Sequence, residues 1–217
     1  VEDGSVRCFT LAGPLGSPSD LGAGSNGDAT SELPQQVVVG AGAGATPLEH
    51  VVQLSGGQNG GGGSFCALTE QHDVYCWGYS ANGLLGVRGQ EHTDHAEPVR
   101  DETGAALTQV AEVRVGYGSS CARLVDGSVW CWGDNAYGEL GFLPSEGESP
   151  TFTATPRRVP LEQRATRLAA SPGTTHCAIL ADSSVSCCGR NHWGQAGAPD
   201  RRQRVPPTRV LLRKPSR

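Results

Sequence analysis

The sequence contains no methionine, few aromatic residues and no long apolar run. Its apolar stretches fall far short of the roughly 18 consecutive residues that a membrane-spanning helix needs. The opening residues, VEDGSVRCF, lack the basic and then apolar layout of a signal peptide. We therefore expect no membrane span in this chain. We also expect that it starts after a removed targeting segment or partway through a longer protein.

Basic residues are too few and too scattered to form a nucleic-acid surface. The chain has 17 basic and 22 acidic residues, for a net charge of −5. Phosphate binding needs a concentrated basic face, and the basic clusters here, DRRQR and RKPSR, both lie near the C-terminus. We therefore expect no nucleic-acid partner.

Glycine and proline, by contrast, are abundant, with 31 and 14 residues. Long apolar runs of helical periodicity are missing, and this combination is typical of short strands separated by many turns. The predicted fold class is all-β. Eight cysteines at mostly regular intervals favour an oxidising compartment over the cytosol.

Three segments of the chain align with one another without gaps. Their first cysteines are 55 and 56 residues apart. Each segment has two cysteines around a short turn and then a glycine-containing stretch: CALTEQHDVYCWGYSANGLLG (66–86), CARLVDGSVWCWGDNAYGELG (121–141) and CAILADSSVSCCGRNHWGQAG (177–197). The opening DGSVRCF matches DGSVWCW, so Cys8 takes the place of Cys131, and the first half of that unit is missing.

A weaker pattern precedes each copy, with a proline followed by hydrophobic residues that lead to a glycine-rich loop. The stretch PPTRVLL near the C-terminus matches the start of another such segment. We therefore treat residues 1–217 as a single partial array. It divides into a partial repeat, three full repeats and the start of a further one: 1–33, 34–97, 98–155, 156–205 and 206–217.

The cysteine spacing within each copy predicts a stapled β-hairpin. If Val125 and Asp126 form a type I turn and Gly127 takes the left-handed position of a bulge, Cys121 lies directly opposite Cys131. Opposed residues of antiparallel strands have Cα atoms about 4.5 to 5.5 Å apart, which suits a disulfide. Zinc ligands usually come in pairs only two to four residues apart, so the spacing favours disulfides.

The same register pairs the cysteines of the other two copies, Cys66 with Cys76 and Cys177 with Cys187. His72 and Ser183 replace the bulge glycine there, which makes those turns less favourable. Closing each loop should stabilise its unit by about 2 to 4 kcal/mol in the chain-entropy model. The register leaves Cys8 and Cys188 unpaired, and their fate stays open.

The repeated unit resembles the regulator of chromosome condensation repeat. The most specific residues are the Trp-Gly pairs at 77–78 and 132–133, each followed by a Gly-x-x-Gly element. The third copy departs from the pattern because Cys188 replaces the tryptophan. With the preceding segments included, the resemblance covers nearly the whole chain.

The resemblance implies a β-propeller with one four-stranded blade per repeat and seven blades in known members. Seven units of this length would far exceed 217 residues. We therefore predict an incomplete propeller of this family, with three full repeats and partial repeats at both ends. Further blades or a second chain would have to complete the ring.

Three other stretches suggest ligand sites but fit them poorly. VVVGAGAGATP (37–47) mimics a dinucleotide-binding turn, yet no long helix follows it. SGGQNGGGGS (55–64) lacks the lysine of a phosphate loop and predicts a lengthened flexible loop. QEHTDHAE (90–97) places His92 and His95 among carboxylates, a set that could bind a metal but is more often solvated charge. We expect no cofactor, metal site or catalytic residue.

The segment after Trp-Gly varies between copies and supplies the candidate partner-binding residues. Aromatic and polar side chains in loops on a rigid scaffold are typical of protein interfaces. The alternative is that they pack against the neighbouring blade, and for Tyr137 and Trp193 both interpretations stay open. The candidates are Tyr79, Asn82, Tyr137, His192 and Trp193.

The resulting hypothesis is a non-enzymatic propeller scaffold that binds another protein. We expect an extracellular, periplasmic or cell-surface location, and the resemblance implies the cysteine-containing, bacterial exported subtype. One alternative is a guanine-nucleotide-exchange or chromatin-docking factor like the nuclear family member, which the acidic charge and the cysteines disfavour. A second alternative, a propeller hydrolase or lyase, has little support.

Overall fold

The computed structural model describes residues 4–8, 34–58, 62–143, 151–170, 173–198 and 204–210. These ranges contain short strands and two 3-10 turns, Gly42–Gly44 and Ala81–Gly83. The strands are β1 (Arg7–Cys8), β2 (Gln35–Gln36), β3 (Val38–Val39), β4 (Thr46–Pro47), β5 (Val51–Gln58), β6 (Gly63–Thr69), β7 (Val74–Tyr79), β8 (His92–Pro98), β9 (Val110–Val115), β10 (Ser119–Leu124), β11 (Val129–Asp134), β12 (Phe152–Arg158), β13 (Ala165–Ala170), β14 (Thr175–Leu180), β15 (Val185–Arg190) and β16 (Arg204–Arg209).

Three four-stranded antiparallel units follow one another along the chain, and the all-β prediction is confirmed. We name them blade 1 (β5–β8), blade 2 (β9–β12) and blade 3 (β13–β16). The hairpin β3–β4 extends the outer edge of blade 1, because β3 pairs with β8. Strands β1 and β2 pair with each other and form a half-blade. The repeat boundaries proposed from the sequence stay predictions.

The central hairpin of each blade has the register expected from the cysteine spacing. Cys121 lies opposite Cys131, and Gly127 has a φ of 84° in the turn. The Leu124 amide donates to the Ser128 carbonyl at 2.9 Å, so strand alternation makes the cysteines a non-hydrogen-bonded pair. Such pairs approach closely. The Cα atoms are 4.1 Å apart in all three disulfides, shorter than we predicted.

The two turns without a bulge glycine keep the same left-handed conformation. His72 has a φ of 67° and Ser183 a φ of 66°. The His72 ring donates from Nδ1 to the Val110 carbonyl at 2.9 Å, and the His72 carbonyl accepts from the Val110 amide at 2.9 Å. The strained turn of blade 1 is therefore tied to the first strand of blade 2, which offsets part of its conformational cost.

The hydrophobic core is a series of layers between successive blades. Each blade has a leading face toward the preceding unit and a trailing face toward the following one. The Cys66–Cys76 disulfide lies on the trailing face of blade 1 and packs with Trp132 from the leading face of blade 2. The Cys121–Cys131 disulfide packs in the same way with Leu168 of blade 3.

Hydrogen bonds from a side chain to the backbone join the first strands of neighbouring blades, and this interaction recurs from blade to blade. The Gln53 amide donates to the Val113 carbonyl at 2.8 Å and accepts from the Val113 amide at 3.2 Å. One blade later, the Glu112 carboxylate accepts from the Leu168 amide at 3.0 Å. Side chains of one blade thus satisfy backbone groups on the free inner edge of the next, which would otherwise lack protein partners.

Both ends of the array present uncovered faces. Leu54 on β5 is 52% exposed, whereas Val113 and Leu168, at the same position of blades 2 and 3, are 0% and 9% exposed. At the other end, Ile179 is 41% exposed and its counterpart Leu68 only 4%. The apolar positions that neighbouring blades cover inside the array are therefore open at its two ends.

The glycine-rich stretch 55–64 is mostly strand, so our prediction of a lengthened flexible loop is wrong for most of it. Strand β5 runs to Gln58 and β6 starts at Gly63, while residues 59–61 lie outside the described residues. A Cβ atom on Gly57 would lie 2.3 Å from the Gly116 carbonyl oxygen. The glycine thus permits close approach of blade 2 rather than flexibility.

The other glycine-rich stretch, 37–47, forms the short strands β3 and β4 with a 3-10 turn between them. This hairpin differs from the strand, tight turn and long helix that bind a dinucleotide. Among the residues that the structure describes, no helix is long and apolar enough to cross a membrane.

Candidate protein-binding face

The five candidate residues lie at one end of the blades, which we call the loop end. Successive antiparallel strands reverse direction, so the turn after the first strand and the loop after the third reach the same end of each blade. The loop end therefore carries Tyr79, Asn82, Tyr137, His192 and Trp193.

Each loop after the third strand is closed by its own side chains. The Asn135 Oδ1 atom accepts from the Leu140 amide at 3.0 Å, and the Asn191 Oδ1 atom accepts from the Ala196 amide at 3.0 Å. Ser80 occupies this position in blade 1, where its hydroxyl accepts from the Leu85 amide at 3.4 Å. The loops are thus rigid supports for the side chains at their tips.

Tyr137 and Trp193 could each either pack against a neighbouring blade or remain exposed for a partner, and the structure gives a different answer for each residue. The Arg190 guanidinium of blade 3 lies 5.0 Å from the centre of the Tyr137 ring, so Tyr137 packs against the following blade. Trp193 is 75% exposed and contacts the His192 ring edge-on, with centroids 4.8 Å apart. No blade follows Trp193 in the described residues, which explains its exposure.

A groove at the loop end separates blade 1 from the last strand of blade 2. It has a volume of about 410 Å³, and its lining includes Tyr79, Asn82, Val87, Glu91 and Phe152. Phe152 is 42% exposed. The backbone is closely packed beneath the groove, since a Cβ atom on Gly83 would lie 2.7 Å from the Ala154 Cα atom. Two candidate residues, Tyr79 and Asn82, therefore share one site.

Further apolar side chains, which are not among the candidates predicted from the sequence, are exposed at the loop end. Tyr117 is 41% exposed between β9 and β10, and Leu143 is 49% exposed after β11. Phe152 was also missed. Tyr117 and Phe152 lie next to the ends of strands, and Leu143 follows the repeated segment that ends at Gly141. The signal that could have found all three is aromatic or leucine content in the variable loops.

The histidine cluster at 90–97 forms internal ion pairs. His95 lies 2.7 Å from Asp94 through Nδ1 and 2.8 Å from Glu97 through Nε2. Burial lowers the pKa of His95, but these hydrogen bonds and the two carboxylate charges raise it above its usual value. His92 is exposed. The described residues contain no group of three or more His, Cys, Asp or Glu side chains arranged to bind a metal.

Glu139 and His176 are buried ionisable residues between blades 2 and 3. Glu139 is fully buried, its Oε2 atom accepts from the Tyr137 amide at 2.7 Å, and burial raises its pKa to about 7. His176 contacts the Ser119 hydroxyl through Nε2 at 2.7 Å, and burial lowers its pKa to about 4. Within the described ranges, the Glu139 Oε1 and His176 Nδ1 atoms have no hydrogen-bond partner.

The two cysteines outside the disulfides have different surroundings. Cys188 donates from its thiol to the Glu139 carbonyl at 3.3 Å, and burial raises its pKa to about 12. Trp132 donates from Nε1 to the Leu84 carbonyl at 2.9 Å, which is the same interaction one blade earlier. Cys8 is half-buried beside Trp77, and burial raises its pKa. Cys188 therefore replaces a tryptophan and keeps its hydrogen bond.

Sequence comparison identifies the repeat directly. Family models of the Regulator of chromosome condensation (RCC1) repeat match residues 110–139 and 126–180. The human probable E3 ubiquitin-protein ligase HERC3 is 32% identical over 148 residues, which are 67% of this chain and 13% of that protein. Human HERC2 is 33% identical over 130 residues, 59% of this chain and 2% of that protein. The chain thus spans a small fraction of these relatives.

Solved structures show the same fold. Human WBSCR16 superposes with a TM-score of 0.69 at 19% identity, over 97% of this chain and 49% of that one. Prp20p from Saccharomyces cerevisiae gives a TM-score of 0.69 at 21% identity, over 95% of this chain and 47% of that one. The match extends over about half of each propeller. Residues 110–180 therefore match repeats of the regulator of chromosome condensation family, and the chain has the fold of an incomplete propeller of that type.

Proposed function

We propose that this chain is a non-enzymatic scaffold whose loop end binds another protein. The observation that carries the proposal is the groove of about 410 Å³ beside the exposed Phe152. Partly exposed aromatic side chains next to a rigid concave site are typical anchors of protein interfaces. Trp193 is a second exposed aromatic side chain at the loop end, and it lies on blade 3.

Proteins of the same fold support a binding role. Yeast Prp20p is described with its binding to Gsp1p and histones, and yeast RCC1 (Prp20) has been crystallised with Kap60 bound. These partners belong to that protein. For this chain, the three disulfides indicate an oxidising environment, and we propose an extracellular, periplasmic or cell-surface location in a bacterial exported protein.

The experiment places a photo-reactive phenylalanine analogue at position 152. The matched control carries it at Val125, which is 55% exposed in the turn at the opposite end of blade 2. A partner that crosslinks from position 152 and not from 125 is then purified, and its affinity is measured by calorimetry. We expect Phe152→Ser to weaken binding at least about tenfold and Val125→Ser to leave it unchanged. Equal affinities for the two variants would refute a role for the loop end.

Counting free thiols in protein taken directly from its source distinguishes the proposed scaffold from the alternative of an exchange factor or chromatin-docking factor. Six cysteines blocked until reduction support the exported scaffold, since disulfides seldom persist in the nucleus or cytosol. Eight free thiols favour the nuclear type of role. A hydrolase screen of the wild-type chain and of a His92→Ala, His95→Ala double variant addresses the enzymatic alternative, and activity lost in the double variant would overturn a non-enzymatic function.

A further inference from the structure

The leading face of each blade carries one pair of directly opposed side chains at a repeated position. The pairs, from blade 1 to blade 3, are Phe65 with Trp77, Ser120 with Trp132, and His176 with Cys188. The first pair stacks its rings, and the second donates two hydrogen bonds to the Leu84 carbonyl. The pair of blade 3 combines an imidazole with a thiol, and both groups are ligands for soft metal ions.

His176 and Cys188 are buried in the interface between blades 2 and 3, at 6% and 5% exposure. Both line the same small cavity of about 20 Å³, whose lining is otherwise mostly apolar and includes Val129, Val159 and Leu168. The two blades that enclose the pair both belong to the described residues. Its burial therefore does not depend on the open ends of the array.

The His176 ring has one nitrogen with a partner and one without. Nε2 contacts the Ser119 hydroxyl at 2.7 Å, whereas Nδ1, the nitrogen nearer the backbone of blade 3, lacks a hydrogen-bond partner in the described part of the chain. The matching hydroxyls of Ser64 and Thr175 donate to carbonyls of their own blades instead. With Nε2 donating to Ser119, Nδ1 carries a free lone pair. Metal-binding histidines are oriented in this way, by a hydrogen bond from the second ring nitrogen.

We propose that Cys188 Sγ and His176 Nδ1 form a two-coordinate site for a soft monovalent metal ion such as Cu⁺ or Ag⁺. Metal bonds to thiolate sulfur and imidazole nitrogen are about 2.3 and 2.0 Å long, so an ion held linearly needs ligand atoms about 4 Å apart. Opposed residues of antiparallel strands have Cβ atoms about 4.5 to 5.5 Å apart, which lets the two ligand atoms reach that separation.

Charge favours a monovalent over a divalent ion at this site. The Cys188 thiol releases its proton to solvent as sulfur binds the ion, and no electron is transferred, so thiolate and ion are neutral together. A divalent ion would leave a net charge in the apolar cavity. Zinc also prefers four ligands, and the described residues hold no suitable group of three or more His, Cys, Asp or Glu side chains. Burial raises the pKa of the free thiol to about 12, so the thiolate depends on the bound cation.

The test measures Ag⁺ binding to a Cys8→Ser chain, which keeps Cys188 as its one cysteine outside the disulfides. Ag⁺ is added in chloride-free buffer while the chain refolds from urea with its disulfides intact, so that the closed cavity cannot exclude the ion. We expect native mass spectrometry to show one Ag⁺ per chain. Adding Cys188→Ser should remove the ion. Adding His176→Phe, which has a similar size and no ligand atom, should weaken binding at least about tenfold.

A second measurement leaves both ligands unchanged. In the Cys8→Ser chain, NMR of the imidazole nitrogens should show that Ag⁺ shifts the His176 Nδ1 resonance while Nε2 keeps its proton. Ser119→Ala should retain the ion with an affinity about tenfold lower, because the ring loses the group that orients it. The proposal is wrong if the Cys8→Ser chain retains no Ag⁺, if Cys188→Ser retains as much, or if the bound ion leaves the His176 resonances unchanged.

Discussion

The interface between blades 1 and 2 and the interface between blades 2 and 3 are built on one plan with different chemistry. In the first, Trp132 is fully buried against the Cys66–Cys76 disulfide. In the second, Cys188 takes the place of the tryptophan, and Glu139 and His176 are buried nearby. A cavity of about 20 Å³, lined in part by Cys121, Cys131 and Cys188, remains there, with room for about one water molecule.

The comparison shows which parts of the repeat are constrained. The hydrogen bond from the leading face to the preceding loop carbonyl is present in both interfaces, made by an indole in one and a thiol in the other. The volume and polarity around it differ. The position of this hydrogen bond is therefore common to both interfaces, whereas the side chains that fill the rest of each interface differ from copy to copy.

The largest predicted effect comes from giving the first interface the chemistry of the second. Trp132→Cys should lower the free energy of unfolding by about 3 to 5 kcal/mol, because it removes a fully buried ring from a packed layer. Urea unfolding measures the change. The matched control is Trp193→Cys, which removes a ring that is 75% exposed and should change stability by less than about 0.5 kcal/mol. Equal losses would mean that the layer does not depend on this ring.

The buried Glu139 between blades 2 and 3 should make the stability of the fold depend on pH. Glu139 has a pKa of about 7 in the folded chain, above its ordinary 4.5, so its carboxylate destabilises the fold as the pH rises from 4.5 through 7. Glu139→Gln should therefore raise the free energy of unfolding by about 3 kcal/mol at pH 8, at roughly 1.4 kcal/mol per pKa unit. Gln195 already makes the same backbone contact in blade 3.

His176 acts in the opposite direction on the acid side. Its folded pKa of about 4 lies below the ordinary 6.5, so its contribution is fully present above pH 6.5 and is lost as the pH falls toward 4. Thermal melts of Glu139→Gln should lack the loss of stability that Glu139 causes as the pH rises toward 8, and should keep the decline below pH 6.5 that His176 causes. Wild-type and variant melts that stay parallel from pH 5 to pH 8 would contradict the assignment to Glu139.

The smallest effect is expected at the hairpin turns. Ser183 has a φ of 66° where blade 2 has Gly127, and a serine side chain is unfavourable in this conformation. Ser183→Gly should raise the free energy of unfolding by up to about 1 kcal/mol, reduced by the greater flexibility of glycine in the unfolded chain. Chemical denaturation measures it. The control is Gly127→Ser, whose Cβ atom would lie 2.6 Å from Arg164, and which should destabilise. A stable Gly127→Ser variant would show that the turn tolerates either residue.

The fold of this chain could be predicted largely because its signals are local and repeated. The opposed cysteines follow from loop length and turn type, which the residues between them determine. The stretch 55–64 was predicted wrongly because glycine content indicates flexibility by itself, whereas Gly57 is required by a carbonyl of the neighbouring blade. That constraint comes from residues about 60 positions away along the chain.

The candidate site was less predictable for a similar reason. Tyr137 and Trp193 occupy equivalent positions, and only the presence of Arg190 on a following blade separates a packed ring from an exposed one. The burial of Glu139 was also missed, although the alignment places Leu84 at the same position. Exposure in a repeat protein depends on neighbours whose identity a single repeat does not specify.

The directional stacking of the blades has a consequence for their redox chemistry. Each disulfide lies on the trailing face of its blade. The following blade covers Cys66–Cys76 and Cys121–Cys131, and these cysteines are almost completely inaccessible. Cys177 is half-buried, since no described blade follows it. Among the three disulfides of the described residues, Cys177–Cys187 is therefore the one that a reducing agent in solution reaches most readily.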